Sequence, residues 1–117
     1  MSGAMSYHSG LTAEEQVAAR YQANDHSIAA RRWRGLSGEI DLILRQGQSV
    51  IFVEVKRAES FTRAAERLSQ AQMQRIWNTA SEFLAGEPAG QDTEVRFDVA
   101  LVDGQGRIQI VENALNF

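Results

Sequence analysis

The sequence predicts an α/β domain in which a mixed β-sheet is flanked by helices. The chain has 117 residues, enough for one hydrophobic core but not for two. Alternating, β-rich segments occur in two groups, each with a short glycine-containing turn inside it. Two other segments carry capping signals ahead of apolar residues at helical spacing. Together these segments give the order α-β-β-β-α-β-β.

The first helix is predicted in the segment LTAEEQVAARYQAN. Thr12 and Glu15 have the spacing of a capping box, and apolar residues with helical spacing follow them. The opening letters MSGAMS show no pattern, so residues 1–10 are interpreted as a disordered tail or a cloning scar. Residues 11–117 are predicted to form a single domain.

Three strands are predicted next, at Ile28–Trp33, Glu39–Arg45 and Ser49–Lys56. The letters RQGQ between the second and third strands indicate a hairpin turn. Residues 57–68 fit neither a helix nor a strand clearly. A second helix is predicted from Ser69 to Leu84, and VRFDVALVD and RIQIVE then form a second hairpin.

The register of the first hairpin decides which side chains meet. A turn centred on positions 46 and 47 would set Asp41 opposite Phe52 and Glu39 opposite Glu54. Asp41 and Glu54 would then be diagonal neighbours, with Cβ atoms about 7–8 Å apart. One face is wholly apolar and is predicted as core: Ile40, Leu42, Leu44, Ile51, Val53 and Val55. The other face mixes charged and apolar residues: Glu39, Asp41, Ile43, Val50, Phe52, Glu54 and Lys56.

The mixed face indicates a metal site. Two carboxylates that converge on a half-buried surface repel each other, and a divalent cation removes that repulsion. Mg²⁺, or Mn²⁺, accepts carboxylate oxygens and completes its shell with water and phosphate oxygens. Lys56 is the only lysine beside eleven arginines, and its ammonium suits a position next to a water or a phosphorane. The alternative is that Asp41, Glu54 and Lys56 form an ordinary surface salt bridge on an edge strand.

Charge is distributed unevenly along the chain, although the formal net charge at pH 7 is −3. Residues 20–75 carry +4 and the remaining residues −7, which fits either a phosphate-binding face or a merely solvated surface. Contacts to nucleic-acid phosphates are expected from four arginines: Arg31, Arg32, Arg34 and Arg57. Trp33, among the first three, is either a contact residue or part of the core.

The composition excludes several classes of protein. The chain has no cysteine, so it has no disulfide framework and no thiolate metal site, which suits a reducing cytoplasm. No apolar run approaches the roughly 18 residues that a membrane span needs. A cytoplasmic protein without a membrane partner is therefore expected.

The motifs GEIDLI, FVEVK and RFDV, in a chain of this size, resemble the YraN family of small bacterial proteins. The likeness extends from about Gly10 to Leu115. That family is assigned to the PD-(D/E)xK nuclease superfamily, near archaeal Holliday-junction resolvases. The resemblance implies a restriction-endonuclease-like fold with an α-β-β-β-α-β core.

The resemblance also implies roles for individual residues. Asp41 matches the metal-binding aspartate of the superfamily, Glu54 the second acidic ligand and Lys56 the catalytic lysine. Glu15 matches the helix glutamate that some members bring to the metal, although its capping role also explains it. The carbonyl of Val55 is a further candidate ligand.

Two polar residues have supporting roles in this interpretation. Glu39 is either a residue that supports the site from outside the metal shell or a surface charge. Gln72 lies on the apolar stripe of the second helix and also has capping spacing from Ser69, so it is either a site residue or a capping residue.

The expected function is Mg²⁺-dependent hydrolysis of DNA phosphodiester bonds, with DNA expected ahead of RNA and branched DNA as one candidate structure. One alternative is a module that binds nucleic acid and keeps the nuclease fold without cutting. Another is a structural or partner-binding domain. A monomer or a weak homodimer is expected.

Overall fold

A five-stranded β-sheet with helices on both faces forms the centre of the structure, a computed structural model that describes residues 12–114. In chain order the elements are α1 (Ala13–Ala23), β1 (Ser27–Arg34), β2 (Glu39–Gln46), β3 (Ser49–Arg57), α2 (Phe61–Glu66), α3 (Gln70–Leu84), a 3₁₀ turn (Gly90–Asp92), β4 (Val95–Val102) and β5 (Ile108–Val111). The predicted α/β fold class is confirmed. The tail predicted at residues 1–10 lies outside the described residues, as do residues 11 and 115–117.

The strands lie side by side in chain order. The pair β3–β4 is parallel, whereas β1–β2, β2–β3 and β4–β5 are antiparallel. A parallel connection must return from one end of the sheet to the other, and α2 and α3 make this return over one face. The start of β2 and the ends of β3 and β4 therefore lie at one end of the sheet.

Both faces of the sheet are buried. Helix α1 covers one face, and the residues of that cluster are Val17, Ala18, Tyr21, Leu42, Leu44, Ile51, Val53, Ala100 and Val102. Helices α2 and α3 cover the other face, with Ile40, Ile43, Val50, Phe52, Ala64, Ile76, Ala80, Leu84, Phe97, Val99 and Leu101. A charged side chain on this sheet therefore needs a partner or a place at a strand end.

Serine and threonine caps begin each of the three α-helices within residues 12–114. At α1, the Oγ1 of Thr12 accepts a hydrogen bond from the N–H of Glu15 and donates one to its carboxylate, both 3.1 Å long. At α3, the Oγ of Ser69 accepts from the N–H of Gln72 at 3.1 Å. Both predicted caps are therefore confirmed. Helix α2 lies in the segment without a clear pattern, where Ser60 caps it in the same way.

The register predicted for the first hairpin is wrong by two residues. Gln46 pairs with Ser49 and Ile43 with Phe52, so the turn is formed by residues 47 and 48 rather than 46 and 47. Gly47 has a φ of 62°, which is the value required at the first central residue of a type II′ turn. Glycine is preferred at that position because it adopts a positive φ without strain. A shift of two residues keeps every β3 side chain on its predicted face.

Ile40 was predicted on the same face as Leu42 and Leu44, and this is also wrong. It packs with Ile43 in the cluster under α3. The reason is a break in alternation at Arg32, whose φ of 46° interrupts β1 between its pairs Ala30–Ile43 and Trp33–Ile40. The paired strand β2 follows this distortion, so Ile40 and Ile43 face the same helix.

Asp98 of β4 is fully buried and holds three parts of the chain together. Arg96 donates two hydrogen bonds of 2.8 Å to its carboxylate. The hydroxyl of Tyr21 on α1 donates at 2.7 Å, and the N–H of Asn113 donates at 3.0 Å. Burial, followed by the hydrogen bond to Asp98, raises the pKa of Tyr21 well above its usual value. The carboxylate is thus satisfied within the fold.

Candidate functional site

The candidate site lies where β2 begins and β3 ends. Toward this end, the pairing of the two strands stops at Leu42 and Val53. Beyond this pair, a side-chain hydrogen bond replaces the main-chain hydrogen bonds between the strands. The Oδ2 of Asp41 accepts a 2.8 Å hydrogen bond from the N–H of Val55. Asp41 is therefore fixed beside β3 by a bond that continues the strand pairing, and its carboxylate points toward the neighbouring Glu54.

Glu54 is the most buried residue of the site, with 4% of its surface exposed. Its Oε2 accepts a 2.5 Å hydrogen bond from the side-chain amide of Gln72, the third residue of α3. The same oxygen lies 3.2 Å from the Nζ of Lys56. Two donors from different elements therefore converge on one carboxylate oxygen.

Burial is the main reason why the pKa of Glu54 is raised, to about 8. The charge of Asp41 and a hydrogen bond with its carboxyl act in the same direction, whereas Lys56 lowers the pKa. Two carboxyl groups can share a hydrogen bond only when one of them holds a proton. Near neutral pH the pair of Asp41 and Glu54 therefore holds a proton in a position that a cation can occupy instead.

Lys56 is largely enclosed, with 16% of its side chain exposed. It lies two residues after Glu54, and alternation along β3 places both side chains on the face under α3. An ordinary exposed salt bridge does not describe this pair, because both partners are shielded from water. The sequence prediction that Asp41, Glu54 and Lys56 come together agrees with the structure.

Glu15 is not part of this group. It is exposed, and its carboxylate accepts the hydrogen bond from Thr12 that completes the α1 cap. Glu15 and Asp41 do line the same open groove, which has a volume of 260 Å³ and also borders Arg31 and Arg32. Within residues 12–114, no three histidine or acidic side chains are close enough to hold a metal together.

Two of the four predicted phosphate-binding arginines form surface ion pairs. Arg32 lies 2.9 Å from Glu14, and Arg34 lies 2.9 Å from Glu39. Glu39 is therefore a surface charge rather than a residue of the site. Glu14 was not singled out from the sequence, since its meeting with β1 depends on how α1 packs. Exposed pairs of this kind contribute little to stability and can exchange for a phosphate.

Arg31 and Arg57 are exposed and have no ion-pair partner in the part of the chain that the structure describes. Trp33, in contrast, is partly buried and packs against the core under α3, edge-on to Phe83 with ring centroids 5.4 Å apart. Arg75 is a further exposed arginine near the site that the sequence analysis did not identify. It follows Gln72 by three residues on α3, which puts both on one side of the helix, and it is exposed.

The donor set fits a hard divalent cation. Asp41 and Glu54 would supply carboxylate oxygens. Val55, the residue between Glu54 and Lys56, would supply a main-chain carbonyl oxygen. Three protein oxygens leave part of an octahedral shell for water and phosphate, which is how Mg²⁺ is commonly bound. The raised pKa of Glu54 supports this fit, because the carboxylate gains a neutralising partner when a cation replaces the proton.

The family model for the Uncharacterised protein family UPF0102 matches residues 13–102, which contain the whole site. The chain belongs to the UPF0102 family. This is the YraN family, so the resemblance noted in the sequence is confirmed.

Curated UPF0102 proteins are similar over nearly the whole chain. The UPF0102 protein of Cereibacter sphaeroides strain KD131 is 64% identical over 114 residues, which cover 97% of both chains. Those of Ruegeria pomeroyi and Roseobacter denitrificans are 54% and 53% identical, covering 96% and 98% of this chain and 91% and 89% of the relatives. Among residues 12–114, no helix has the length and apolar character of a membrane span.

Proposed function

We propose that this UPF0102 protein is a Mg²⁺-dependent endonuclease that hydrolyses phosphodiester bonds in DNA. One observation carries the proposal: a buried glutamate with a pKa raised to about 8 lies between an aspartate and an enclosed lysine at adjoining strand ends. Strongly shifted carboxyl groups with a specific charged partner are typical of catalytic and metal sites. Asp98 is also buried, but its carboxylate accepts four hydrogen bonds, two of them from the guanidinium of Arg96. Glu54, in contrast, faces a second carboxyl group, that of Asp41.

In this proposal Asp41, Glu54 and the carbonyl of Val55 hold the metal. Bound Mg²⁺, or Mn²⁺, would supply Lewis-acid stabilisation of the phosphate and a lower pKa for a bound water. The N–H of Val55 keeps Asp41 in position, and the amide of Gln72 orients Glu54. These two hydrogen bonds fix the carboxylates before any ligand arrives, so that little reorganisation is needed.

Lys56 orients the attacking water and offsets negative charge as the phosphorane forms. Water loses one proton to solvent and adds its oxygen to phosphorus, the bond to the leaving sugar oxygen breaks, and that oxygen takes up a proton from solvent. The ammonium suits this role because it is compact, carries three donors and is already 3.2 Å from Glu54. A metal held by Glu54 would take over its charge compensation, and Lys56 would then be free to contact water or phosphate.

Arginines around the site would contact the DNA backbone. Arg31 and Arg57 are exposed without ion pairs in the described residues, while Arg32 and Arg34 would exchange their glutamates for phosphates. Such contacts fix the position of a duplex without reading its bases. Branched DNA as the preferred structure, a monomer or weak homodimer as the active form and a cytoplasmic location belong to the same proposal.

The deciding experiment is to incubate tag-free protein with linear, flapped and four-way DNA, with and without Mg²⁺ or Mn²⁺. Cleavage that requires the metal and disappears in Asp41→Asn supports the proposal. Cleavage that persists in this variant, or with chelator present, rejects it.

A second candidate function is binding of nucleic acid without cleavage. It is favoured by the position of Glu15, which stays at the α1 cap, so that among the described residues only the carboxylates of Asp41 and Glu54 lie together at the candidate site. The same experiment separates the two candidates. DNA binding by the parent without metal-dependent cleavage of any of the three substrates would indicate a binding module.

A further inference from the structure

Arg32 of β1 has a backbone conformation that arginine rarely adopts. Its φ is 46°, which lies in the left-handed region. The other non-glycine residues with a positive φ between residues 12 and 114 are Asp25 and Asn113, and short polar side chains of these types adopt this conformation at less cost. The arginine is therefore the unusual residue for this conformation.

The ion pair of Arg32 with Glu14 does not offset the strain. The side chain of Arg32 is 67% exposed and that of Glu14 is 27% exposed. An exposed pair contributes less to stability than a left-handed residue other than glycine costs. Stability therefore does not account for an arginine at this position. Because strain of this kind is concentrated at functional sites, the side chain of Arg32 is a candidate for a functional role.

The strained backbone brings two successive arginines to one groove. In a regular strand, neighbouring side chains point to opposite faces of the sheet. Ala30 and Trp33, however, both pack against the core under α3, although they are three positions apart. The two residues between them, Arg31 and Arg32, both border the open groove of 260 Å³ beside α1. A regular strand would direct one of these arginines away from the groove.

Arg32 lies opposite Asp41, one of the proposed metal ligands. The pairs of β1 with β2 on either side of it are Arg31 with Leu42 and Trp33 with Ile40. Arg32 and Asp41 therefore face each other across the two strands, and both border the groove. The hydrogen bond to Glu14 is the main reason why the pKa of Arg32 is raised, and the charge of Asp41 contributes to the rise. The guanidinium thus lies within electrostatic reach of Asp41.

Glu14 contacts one edge of this guanidinium. The Nε of Arg32 donates a 2.9 Å hydrogen bond to Glu14, while its two Nη groups have no hydrogen-bond partner among the residues that the structure describes. A guanidinium presents its donors as a planar fork that matches the oxygens of a phosphate. Glu14 therefore holds Arg32 at the groove with donors still available for a phosphate.

The charges of the groove determine when a phosphate can enter it. Its lining carries two arginines and three carboxylates, those of Glu14, Glu15 and Asp41, so its net charge without a metal is −1. A divalent cation at Asp41 changes this net charge to +1. A phosphate is therefore repelled before the cation binds and attracted afterwards.

We propose that Arg32 contacts the DNA phosphate bound by the metal at Asp41 and Glu54, and that its left-handed backbone serves to bring its guanidinium, beside that of Arg31, to this phosphate. The inference rests on the proposed function, since it requires both DNA and a metal. It separates Arg32 from Arg34, whose contacts fix the position of the duplex. Arg32 belongs to the site itself, and its contact with the phosphate forms when the metal is bound.

The test compares DNA binding in chelator with DNA binding in Ca²⁺, a hard cation that also takes carboxylate and phosphate oxygens. Ionic strength is held constant, fluorescence anisotropy of a labelled duplex gives the affinity, and a gel verifies that the duplex stays intact. The parent should bind about tenfold more tightly in Ca²⁺ than in chelator. Arg32→Asn should lose most of this gain, while its affinity in chelator stays within about twofold of the parent's.

Arg34→Asn is the matched control, because Arg34 lies on the same strand and also pairs with a glutamate at 2.9 Å. It should lower the affinity by the same factor in Ca²⁺ and in chelator. Thermal unfolding without metal measures the backbone strain. Arg32→Asn should unfold at a higher temperature than Arg32→Ala, since both remove the guanidinium and only asparagine suits the left-handed backbone.

Three results would overturn the inference and leave the proposed function intact. The first is an equal loss of affinity by Arg32→Asn in the two conditions, and the second is a gain in Ca²⁺ that this variant keeps. The third is an unfolding temperature of Arg32→Asn no higher than that of Arg32→Ala, which would show that the backbone is not strained.

Other results separate the inference from the proposed function. A parent that binds no DNA, or that gains nothing from Ca²⁺, rejects the inference together with the proposed metal site. A parent whose gain in Ca²⁺ depends on Arg32 but which never cleaves DNA in Mg²⁺ supports the inference and removes only the nuclease.

Discussion

The side-chain amide of Gln72 donates a 2.5 Å hydrogen bond to Glu54, which joins the first turn of α3 to the end of β3. The backbone N–H of the same residue is held by the Ser69 cap. Gln72 thus has both of the roles between which the sequence left it undecided. Through it, the position of α3 determines the orientation of the buried carboxyl.

The first prediction concerns stability and pH. The pKa of Glu54 is about 8 in the folded protein against an ordinary value of 4.5, so the folded state binds a proton that the unfolded state releases between these values. The contribution of Glu54 to the free energy of unfolding should therefore be greatest below about pH 4.5. This contribution should be lost as the pH rises to about 8. Glu54→Gln should remove this fall and raise stability at pH 8 by a few kcal/mol.

Urea denaturation of the parent, Glu54→Gln and the exposed-site control Glu66→Gln, measured from pH 5 to pH 9, checks this expectation. The control should follow the parent. Parallel pH profiles for the parent and Glu54→Gln would show that Glu54 is already ionised in the folded protein.

The second prediction concerns metal binding. Without DNA, Mg²⁺ or Mn²⁺ should bind weakly, because two carboxylates and a carbonyl leave much of the shell to water. An NMR titration with Mg²⁺ should first shift the amides of Asp41, Glu54 and Val55. Asp41→Asn should abolish these shifts and remain folded, since asparagine can still accept the hydrogen bond from Val55. Shifts confined to Glu87 and Asp92 would place the cation at the acidic loop after α3 instead.

The third prediction concerns Lys56. Lys56→Arg should fold and bind DNA like the parent but lose cleavage by about 100-fold, because a guanidinium displaces the water by about 1 Å. Lys56→Met, which keeps the stem and removes the charge, should lose at least as much. Initial cleavage rates on a substrate that the parent cuts provide the measurement. Full activity of Lys56→Arg would show that only a positive charge is needed there.

The fourth prediction concerns the arginines. Log affinity for DNA should fall linearly with log salt, and Arg31→Ala and Arg57→Ala should each reduce the slope by about one. Fluorescence anisotropy at four or more salt concentrations gives the slope. Arg20→Ala, an exposed change in the last turn of α1, is the matched control. If all three variants share the parent's slope, the DNA lies on another surface.

Much of the fold could be predicted because its signals are local. The caps at Thr12 and Ser69 and the alternation in β2 and β3 each depend on residues a few positions apart. The register of the first hairpin was missed because Gly47 suits either position of a two-residue turn, and only the pairing of the strands decides between them.

The contacts of the candidate site likewise fall into those that local sequence patterns predict and those that they do not. Glu54 and Lys56 could be brought together from alternation along β3, which does not change when the register shifts by two residues. Asp41 reaches them although alternation in β2 is broken between Ile40 and Ile43, because it adjoins Leu42, whose partner Val53 precedes Glu54. The ion pair of Arg32 with Glu14 and the hydrogen bond from the N–H of Leu36 to Glu82 could not be predicted, because each joins a strand or turn to a helix far away in sequence. Such contacts depend on how the helices pack.

The hydrogen bonds of Asp98 should determine which parts of the domain unfold together. Its carboxylate binds Tyr21 near the start of the chain, Arg96 on its own strand and Asn113 near the end. If α1 detaches, a fully buried charge loses a donor, and if the segment after β5 detaches it loses another. The two ends of the domain should therefore unfold as one cooperative unit. Their amides should exchange with deuterium at matching rates, slower than those of the exposed turn at residues 35–38.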